Sequence, residues 1–251
     1  MVGASSTGGS SGGAGSRAHT RTAVVWRGLA ERVEALPAGA RVLDIGGGTG
    51  GFAVRVAERG HQVTVVDPSP DALAILGRRS TETLVADRVR GVQGDLSTLS
   101  DLVAAGELAA EFDLVTCHGV LEVVDDPAAA IQVLAERVRS GGVLSLLVAQ
   151  RHAAVVARAM AGHLTQALAT LRGADTPRRF TADETATLLA GAGFTDITMH
   201  AVRVFTDLVP SSLVDLEPGA GALLAELEEE VAERPEYLAL GTQVHALSRR
   251  P

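Results

Sequence analysis

The stretch from Arg41 to Gly51 reads RVLDIGGGTGG and decides how the rest of the chain is interpreted. A short apolar run ends there in five glycines interrupted only by Thr49, and an apolar-periodic segment begins at Phe52. This pattern is typical of a buried strand, a tight turn and a helix whose N-terminus faces a ligand. The free N–H groups of such a helix start supply hydrogen-bond donors and a partial positive charge. A turn that merely connects a strand to a helix is the alternative.

Composition narrows the classes of protein that the chain can belong to. With 251 residues, 46% hydrophobic and 21% charged, the chain is expected to be globular. All 22 basic residues are arginine, so lysine Schiff-base chemistry is excluded. The net charge of −8 argues against broad, non-specific nucleic-acid binding. The single Cys117 excludes an internal disulfide and fits a reducing cytoplasm, and no apolar run predicts a membrane span.

The first 16 residues are almost entirely Gly, Ser, Ala and Thr, and we expect them to form a disordered tail. Residues 17–251 are expected to form a single domain. Its cofactor-binding part is predicted at 41–148, and its substrate-side helices and edge strands at 149–251.

Apolar strands and amphipathic helices alternate at short spacing through the first 150 residues. Continuous apolar runs predict strands at 41–45, 62–66, 89–93, 112–117 and 143–148. Helices are predicted between them, at 21–36, 52–58, 71–87, 100–108 and 127–139. Such alternation is typical of a doubly wound α/β fold with a parallel sheet covered on both faces.

The second half of the chain changes character. Helices are predicted at 152–171, 182–192 and 223–232, and two further strands at 197–205 and 238–248. Only one helix separates these last strands, so we expect an antiparallel arrangement at one edge of a mostly parallel, seven-stranded sheet.

A dinucleotide is the first ligand to consider for the glycine turn. The pattern G-x-G-x-x-G is satisfied by Gly46, Gly48 and Gly51, although this motif alone is weakly specific. Asp67 ends the second predicted strand, where a carboxylate can accept hydrogen bonds from a ribose diol. This placement suits either NAD or another adenosine-containing cofactor.

Two further carboxylates favour a cationic ligand. Asp44 lies two residues before the first glycine, where it would repel a pyrophosphate and suit a positive charge. Asp95 and Leu96 follow the third strand, where a carboxylate and an apolar side chain could bind and sandwich an adenine. The predicted pocket is therefore acidic and offers no cradle for phosphates.

These features resemble those of the class I S-adenosylmethionine-dependent methyltransferases, a family with a Rossmann-like fold. The resembling stretches are VLDIGGGTG at 42–50, Asp67, GD at 94–95, FDLV at 112–115 and SGGVL at 140–144. The resemblance implies that Gly46, Gly47 and Gly48 face the methionine part of the cofactor. It implies that Asp67, with Pro68, meets the ribose hydroxyls, and that Gly94, Asp95 and Leu96 surround the adenine. Asp44 and His118 are the other residues of this region that are predicted to bind the cofactor.

Several stretches are similar to a narrower family, which methylates the carboxyl group of 5-carboxymethoxyuridine at the wobble position of bacterial tRNA. They are HGVLEVVDDP at 118–127, GVLSLL at 142–147, VRVFTD at 202–207 and EYLALGTQVH at 236–245. The resemblance also implies a first helix in which Arg21 touches the cofactor. The chain departs from that family at Ala149 and Gln150, has few arginines at 170–180 and is only 3% aromatic. A tRNA and a small-molecule carboxylate or hydroxyl therefore remain alternative acceptors, and a non-catalytic cofactor-binding regulator is a third possibility.

Methyl transfer is mainly a problem of positioning, because the sulfonium already activates the methyl carbon. A carboxylate acceptor is ionised at neutral pH and needs no general base, but it does need donors that orient it. Candidates for positioning are His118, Arg151 and Arg203, each with a purely structural alternative. Glu122 could line the same crevice, and Cys117 is expected to be a core thiol. No metal-ligand spacing is present, and no metal is predicted.

Overall fold

In the part of the chain that the structure describes, seven strands form one sheet in the order β3-β2-β1-β4-β5-β7-β6. The computed structural model describes residues 24–251, except for the side chains of Ser211 and Asp215. The strands are β1 (Arg41–Ile45), β2 (Gln62–Asp67), β3 (Val89–Gln93), β4 (Phe112–His118), β5 (Val138–Ala149), β6 (Thr195–Val202) and β7 (Gln243–Arg249). The predicted seven-stranded α/β fold is confirmed.

Strand direction confirms the mixed sheet. β1 pairs in parallel with both β2 and β4, and the parallel pairing continues to β3 on one side and to β5 on the other. β7 lies between β5 and the edge strand β6 and runs antiparallel to both. The chain order reverses between β1 and β4, and ligands of open α/β sheets bind at the carboxyl ends of the strands beside such a switch point.

Helices cover both faces of the sheet. The described part of α1 spans 24–34, followed by α2 (Gly51–Ala57), α3 (Pro70–Glu82), α4 (Leu99–Ala104), α5 (Pro127–Arg137), α6 (Arg151–Met160), α7 (Leu164–Leu171), α8 (Ala182–Gly191), α9 (Ser211–Leu216) and α10 (Ala220–Val231). The helices pack against the sheet through two large buried apolar clusters. One contains Leu43 and Ile45, and the other contains Val42 and Leu114. Over residues 24–251, no helix is both long enough and apolar enough to cross a membrane.

Several predicted boundaries are wrong. α3 ends at Glu82 rather than at 87, because Leu84 adopts the left-handed region with φ of 59°. α5 ends at Arg137, and β5 already begins at Val138 rather than at 143. β6 ends at Val202 and not at 205, because Arg203 has a φ of 60°. α9 is an element that periodicity did not predict.

The backbone that follows β6 is fixed by the buried carboxylate of Glu228 on α10. Glu228 is fully buried, and its Oε2 accepts a hydrogen bond from the backbone N–H of Val204 at 2.8 Å. Its Oε1 accepts from the N–H of Phe205 at 2.8 Å, and from both the N–H and the hydroxyl of Thr206 at 2.7 Å. Charge-assisted hydrogen bonds are stronger than neutral ones, so this carboxylate holds the loop firmly.

We expect Glu228→Gln to lower the free energy of unfolding by about 2 kcal/mol, because the amide loses an acceptor and turns N–H donors toward backbone N–H donors. Urea unfolding followed by circular dichroism measures the change. Glu226→Gln on the same helix is the matched control, since Glu226 is exposed. Equal unfolding free energies for the two variants would show that the Glu228 cluster does not stabilise the loop.

Candidate active site

The glycine turn lies at the carboxyl end of β1 and joins it to α2. The N–H of Gly46 donates to the carbonyl of Val66 on β2 at 2.8 Å, so the turn is attached to the neighbouring strand. Gly48 and Gly50 have φ of 55° and 76°, a region in which residues with a Cβ are strained. The turn thus brings bare backbone to the edge of the sheet, as predicted.

Asp67 stands at the end of β2 and links the turn to the start of α3. Its Oδ2 accepts from the N–H of Gly48 at 2.9 Å, and its Oδ1 accepts from the N–H of Ser69 at 2.9 Å. Each carboxylate oxygen can accept a further hydrogen bond, so the group can still bind a diol. Only 7% of the residue is exposed, so little of the carboxylate surface is left for that contact.

Asp44 lies beneath the turn rather than beside it. Its Oδ1 accepts from the hydroxyl of Thr116 on β4 at 2.6 Å, and a Cβ on Gly47 would lie 2.3 Å from its Oδ2. Burial raises the pKa of Asp44 from the usual 3.8 to about 6, the Thr116 bond opposes that rise, and the charge of Asp67 adds to it. Only 3% of the residue is exposed, so Asp44 is covered by the turn that lies above it.

Asp95 and Leu96 follow β3 and have different surroundings. Asp95 is exposed, and its Oδ1 accepts from the hydroxyl and N–H of Ser97 and from the N–H of Thr98. The Ser97 hydroxyl bond is the main reason why its pKa is lowered. Leu96 packs in the core with 7% exposed, so little of it is available to an adenine.

Pro68 and Gly94 complete this edge of the sheet. Pro68 is exposed, and the N–H of Gly94 donates to the carbonyl of Asp67 at 3.2 Å. The ends of β1, β2 and β3 therefore gather Asp44, Asp67 and Asp95 at one edge, in the order predicted. This set of carboxylate acceptors fits a ligand that carries a positive charge and a diol.

His118 ends β4 on the other side of the switch point. Its Nε2 lies 2.8 Å from the hydroxyl oxygen of Ser145 on β5, and its ring contacts Phe52 of α2 edge-on at 5.7 Å between centroids. The same hydroxyl lies 2.8 Å from Nε2 of His245 on β7. Ser145 and His245 were missed by sequence reasoning, and the available signal was a polar residue inside each apolar strand.

Glu122 lies in a short 3₁₀ turn after β4, Leu121–Val123. Its Oε1 accepts from the N–H of Ala149 at 2.7 Å, while its buried Oε2 makes no hydrogen bond within the described residues. Burial is the main cause of a raised pKa. Glu122 therefore fastens this turn to the end of β5.

Arg151 and Arg203 are both engaged in ion pairs. Arg151 donates to Glu184 of α8 at 2.7 Å and to the carbonyl of Arg179 at 2.9 Å. Arg203 pairs with Asp207 four residues later. These contacts favour the structural alternative for both arginines.

Of the remaining candidates, Cys117 is buried in the core, and Arg21 lies outside the residues that the structure describes. Cys117 is fully buried, and burial raises the pKa of its thiol well above the usual range, as expected for a core thiol. Arg21 and the tail at 1–16 lie outside the described residues. Over residues 24–251, no three His, Cys, Asp or Glu side chains are arranged to hold a metal ion.

We expect the unfolding free energy of the protein to fall by roughly 3 kcal/mol between about pH 4 and pH 6 on account of Asp44. A carboxyl whose pKa is raised by folding binds its proton more tightly in the folded state, so ionisation removes stability as pH rises through this window. In Asp44→Asn, the unfolding free energy should not show this decrease between about pH 4 and pH 6. Urea unfolding at a series of pH values measures it.

The difference between wild type and Asp44→Asn isolates this group, because the shifts of Glu122 and Asp95 are common to both proteins. Asp101→Asn, at an exposed position on α4, is the control that should retain the wild-type profile. Parallel profiles for wild type and Asp44→Asn would contradict a raised pKa at this site.

The chain matches the methyltransferase domain family over residues 17–199. It is 31% identical over 240 residues to the tRNA 5-carboxymethoxyuridine methyltransferase of Escherichia coli, covering 92% of this chain and 88% of that relative. It is also 40% identical over 126 residues to the ubiquinone biosynthesis O-methyltransferase of Xanthomonas axonopodis, covering 50% of each chain.

Solved structures share the fold. The magnesium protoporphyrin IX methyltransferase of Synechocystis PCC 6803, crystallised with bound SAH, superposes with a TM-score of 0.63 and 16% identity. The match covers 98% of this chain and 90% of that one. The predicted Rossmann-like methyltransferase fold is therefore confirmed.

Three observations point to the same family. They are the acidic edge built from Asp44, Asp67 and Asp95, the strand order, and the similarities to known methyltransferases. The chain belongs to the methyltransferase domain family and is an S-adenosylmethionine-dependent methyltransferase.

Proposed function

We propose that this methyltransferase methylates the carboxyl group of 5-carboxymethoxyuridine in tRNA. The observation that carries the proposal is the similarity to the Escherichia coli tRNA methyltransferase, which covers 92% of the chain. That similarity includes the C-terminal half, whereas the ubiquinone O-methyltransferases match only about half of the chain. A tRNA acceptor implies that the enzyme works in the cytoplasm.

The cofactor-binding set that we propose comprises Arg21, Asp44, Gly46, Gly47, Gly48, Asp67, Pro68, Gly94, Asp95, Leu96 and His118. When bound, the cofactor supplies an electrophilic methyl group on a sulfonium. Asp67 would accept hydrogen bonds from the ribose hydroxyls, since each of its oxygens accepts one hydrogen bond from a backbone N–H and can accept another. Asp44 would contribute negative charge from below the turn, and Asp95 would receive the adenine.

A carboxylate acceptor agrees with the titratable groups at the ends of β4 and β5. The Cys117 thiol is buried with a raised pKa, so it is a poor base at neutral pH. Glu122 uses Oε1 to accept a hydrogen bond from the N–H of Ala149. An acceptor that is already ionised needs neither group to remove a proton. The site then has only to align the acceptor oxygen with the methyl carbon.

Exposed arginines near the end of β5 could contact the tRNA backbone. Arg172 and Arg178 are exposed, and Arg178 donates to the carbonyl of Asp125 at 3.4 Å. With a net charge of −8, the enzyme would depend on these local cations rather than on a general basic surface.

A small-molecule acceptor is the second candidate, favoured by exposed apolar side chains on α6 and α7. They are Val156, Met160, Leu164, Leu168 and Leu171, with 45–76% of each exposed. An apolar surface of this kind suits an apolar acceptor better than a nucleic acid. The 40% identity with the ubiquinone O-methyltransferase over half of the chain agrees with this alternative.

We expect Asp67→Ala to weaken binding of S-adenosylhomocysteine about 5- to 150-fold, which corresponds to the loss of about 1–3 kcal/mol of hydrogen bonding. Isothermal titration calorimetry measures the affinity. Asp71→Ala, at an exposed position in the first turn of α3, is the control and should bind as wild type does. Since Asp67 also holds Gly48 and Ser69, thermal unfolding must show that the variant is folded. Unchanged affinity would remove Asp67 from the proposed set.

We expect bulk tRNA from a deletion strain to lose the methyl ester of 5-carboxymethoxyuridine and to accumulate the free acid. Nucleoside mass spectrometry of deletion and parent strains measures both. The purified enzyme with the cofactor should restore the ester on tRNA from the deletion strain, and Asp67→Ala should restore it more slowly. Unchanged esters in the deletion strain would rule out the tRNA acceptor and favour the small-molecule candidate.

A further inference from the structure

A row of polar side chains crosses four neighbouring strands on one face of the sheet. His118 on β4 and His245 on β7 are both register partners of Leu147, and Ser145 lies two residues before Leu147 on β5. His200 on β6 is the register partner of His245, and the two rings stack at 5.3 Å between centroids. Register partners share a face of the sheet, so these side chains all project from the same side.

Ser145 bridges the two histidines through one hydroxyl group. Its oxygen lies 2.8 Å from Nε2 of His118 and 2.8 Å from Nε2 of His245. A hydroxyl carries one proton, so with two neutral rings it donates to one and accepts from the other. The tautomers of His118 and His245 are therefore coupled, and one determines the other.

The surroundings of His245 keep its ring neutral. The residue is fully buried, and burial is the first cause that holds its pKa well below the usual value, followed by the neighbouring His118 and His200. The two rings and the Ser145 hydroxyl all contact the His245 ring. Glu233 lies beyond, with its carboxylate 3.6 Å from Nε2 of His200.

The second nitrogen of His245 decides the direction of the bridge. Its Nδ1 is buried and makes no hydrogen bond within the described residues. If Nε2 accepted from Ser145, the proton would be on Nδ1 as a buried N–H without an acceptor, a rare and costly arrangement. If Nε2 donates to Ser145 instead, Nδ1 keeps an unbonded lone pair. In that direction the Ser145 hydroxyl donates to His118, whose proton is then on Nδ1.

We propose that Ser145 and His245 are positioning residues that hold His118 as its Nδ1–H tautomer, so that His118 donates a hydrogen bond to a carboxylate in the active site instead of accepting a proton. The identity of that carboxylate rests on the proposed function, whereas the tautomer does not. His118 ends β4 at the edge where the site lies, and its ring is held between Phe52 and His245. Two carboxylates are available, one on the acceptor and one on the cofactor.

The tautomer can be read directly by nitrogen-15 NMR of the labelled protein, with the rings assigned from His118→Gln and His245→Gln variants. We expect His118 to show a protonated Nδ1 and a lone-pair Nε2, and His245 to show the reverse. The opposite pair of tautomers would overturn the proposal. This measurement needs no substrate, so it stands even if the tRNA acceptor is ruled out by the nucleoside comparison.

The Ser145→Ala variant tests whether the His118 tautomer contributes to binding a carboxylate. Ser248→Ala is the matched control, because Ser248 is also buried in this part of the sheet and its hydroxyl makes no hydrogen bond within the described residues. We expect Ser145→Ala to abolish the single His118 tautomer and to weaken one of the two carboxylate contacts about tenfold. Ser248→Ala should change neither.

The two carboxylates are separated by two measurements on the folded Ser145→Ala protein. A higher KM for the tRNA acceptor with unchanged S-adenosylhomocysteine affinity would assign the contact to the acceptor. Weaker S-adenosylhomocysteine binding would assign it to the cofactor. If both quantities match those of Ser248→Ala, His118 does not act as the proposed donor.

Discussion

The close approach of the glycine turn to the side chains beneath it is the constraint on which the binding edge depends. A Cβ on Gly47 would lie 2.3 Å from Asp44 Oδ2, and one on Gly50 would lie 2.0 Å from Leu76 Cδ1. The turn can therefore rest on β1 and α3 only as bare backbone. That position brings the N–H of Gly48 within hydrogen-bonding distance of the Asp67 carboxylate.

Carboxylates also secure the loops at this edge of the sheet. Asp67 accepts backbone N–H groups from the glycine turn and from the start of α3, Glu122 accepts from the end of β5, and Glu228 accepts from the segment after β6. A charged acceptor forms a stronger hydrogen bond than a neutral one, so these loops are held in place without regular secondary structure. The acidity of the chain near its site is thus partly structural.

Local sequence signals were enough to predict the sheet, because apolar runs, glycines and helix caps act within a few residues. The five parallel strands and the positions of Asp44, Asp67 and Asp95 at their ends followed from them. Helix ends such as Glu82 were less predictable, since they depend on single left-handed residues. The contact between Ser145 and His245 joins residues 100 apart in the chain, and no local pattern encodes it. The ion pair between Arg151 and Glu184 likewise joins residues that are distant in the chain, whereas Arg203 pairs with Asp207 only four residues later.

The place of β7 has a consequence for how the enzyme is made. β7 comes after β5 and β6 in the chain but lies between them in the sheet. During synthesis, β5 and β6 leave the ribosome with facing edges that only the later strand can pair, and such long-range pairing is slow. The environment of His118 is completed by this same strand, through His245. The nascent protein can thus form the edge that carries Asp44, Asp67 and Asp95 well before the surroundings of His118 are complete.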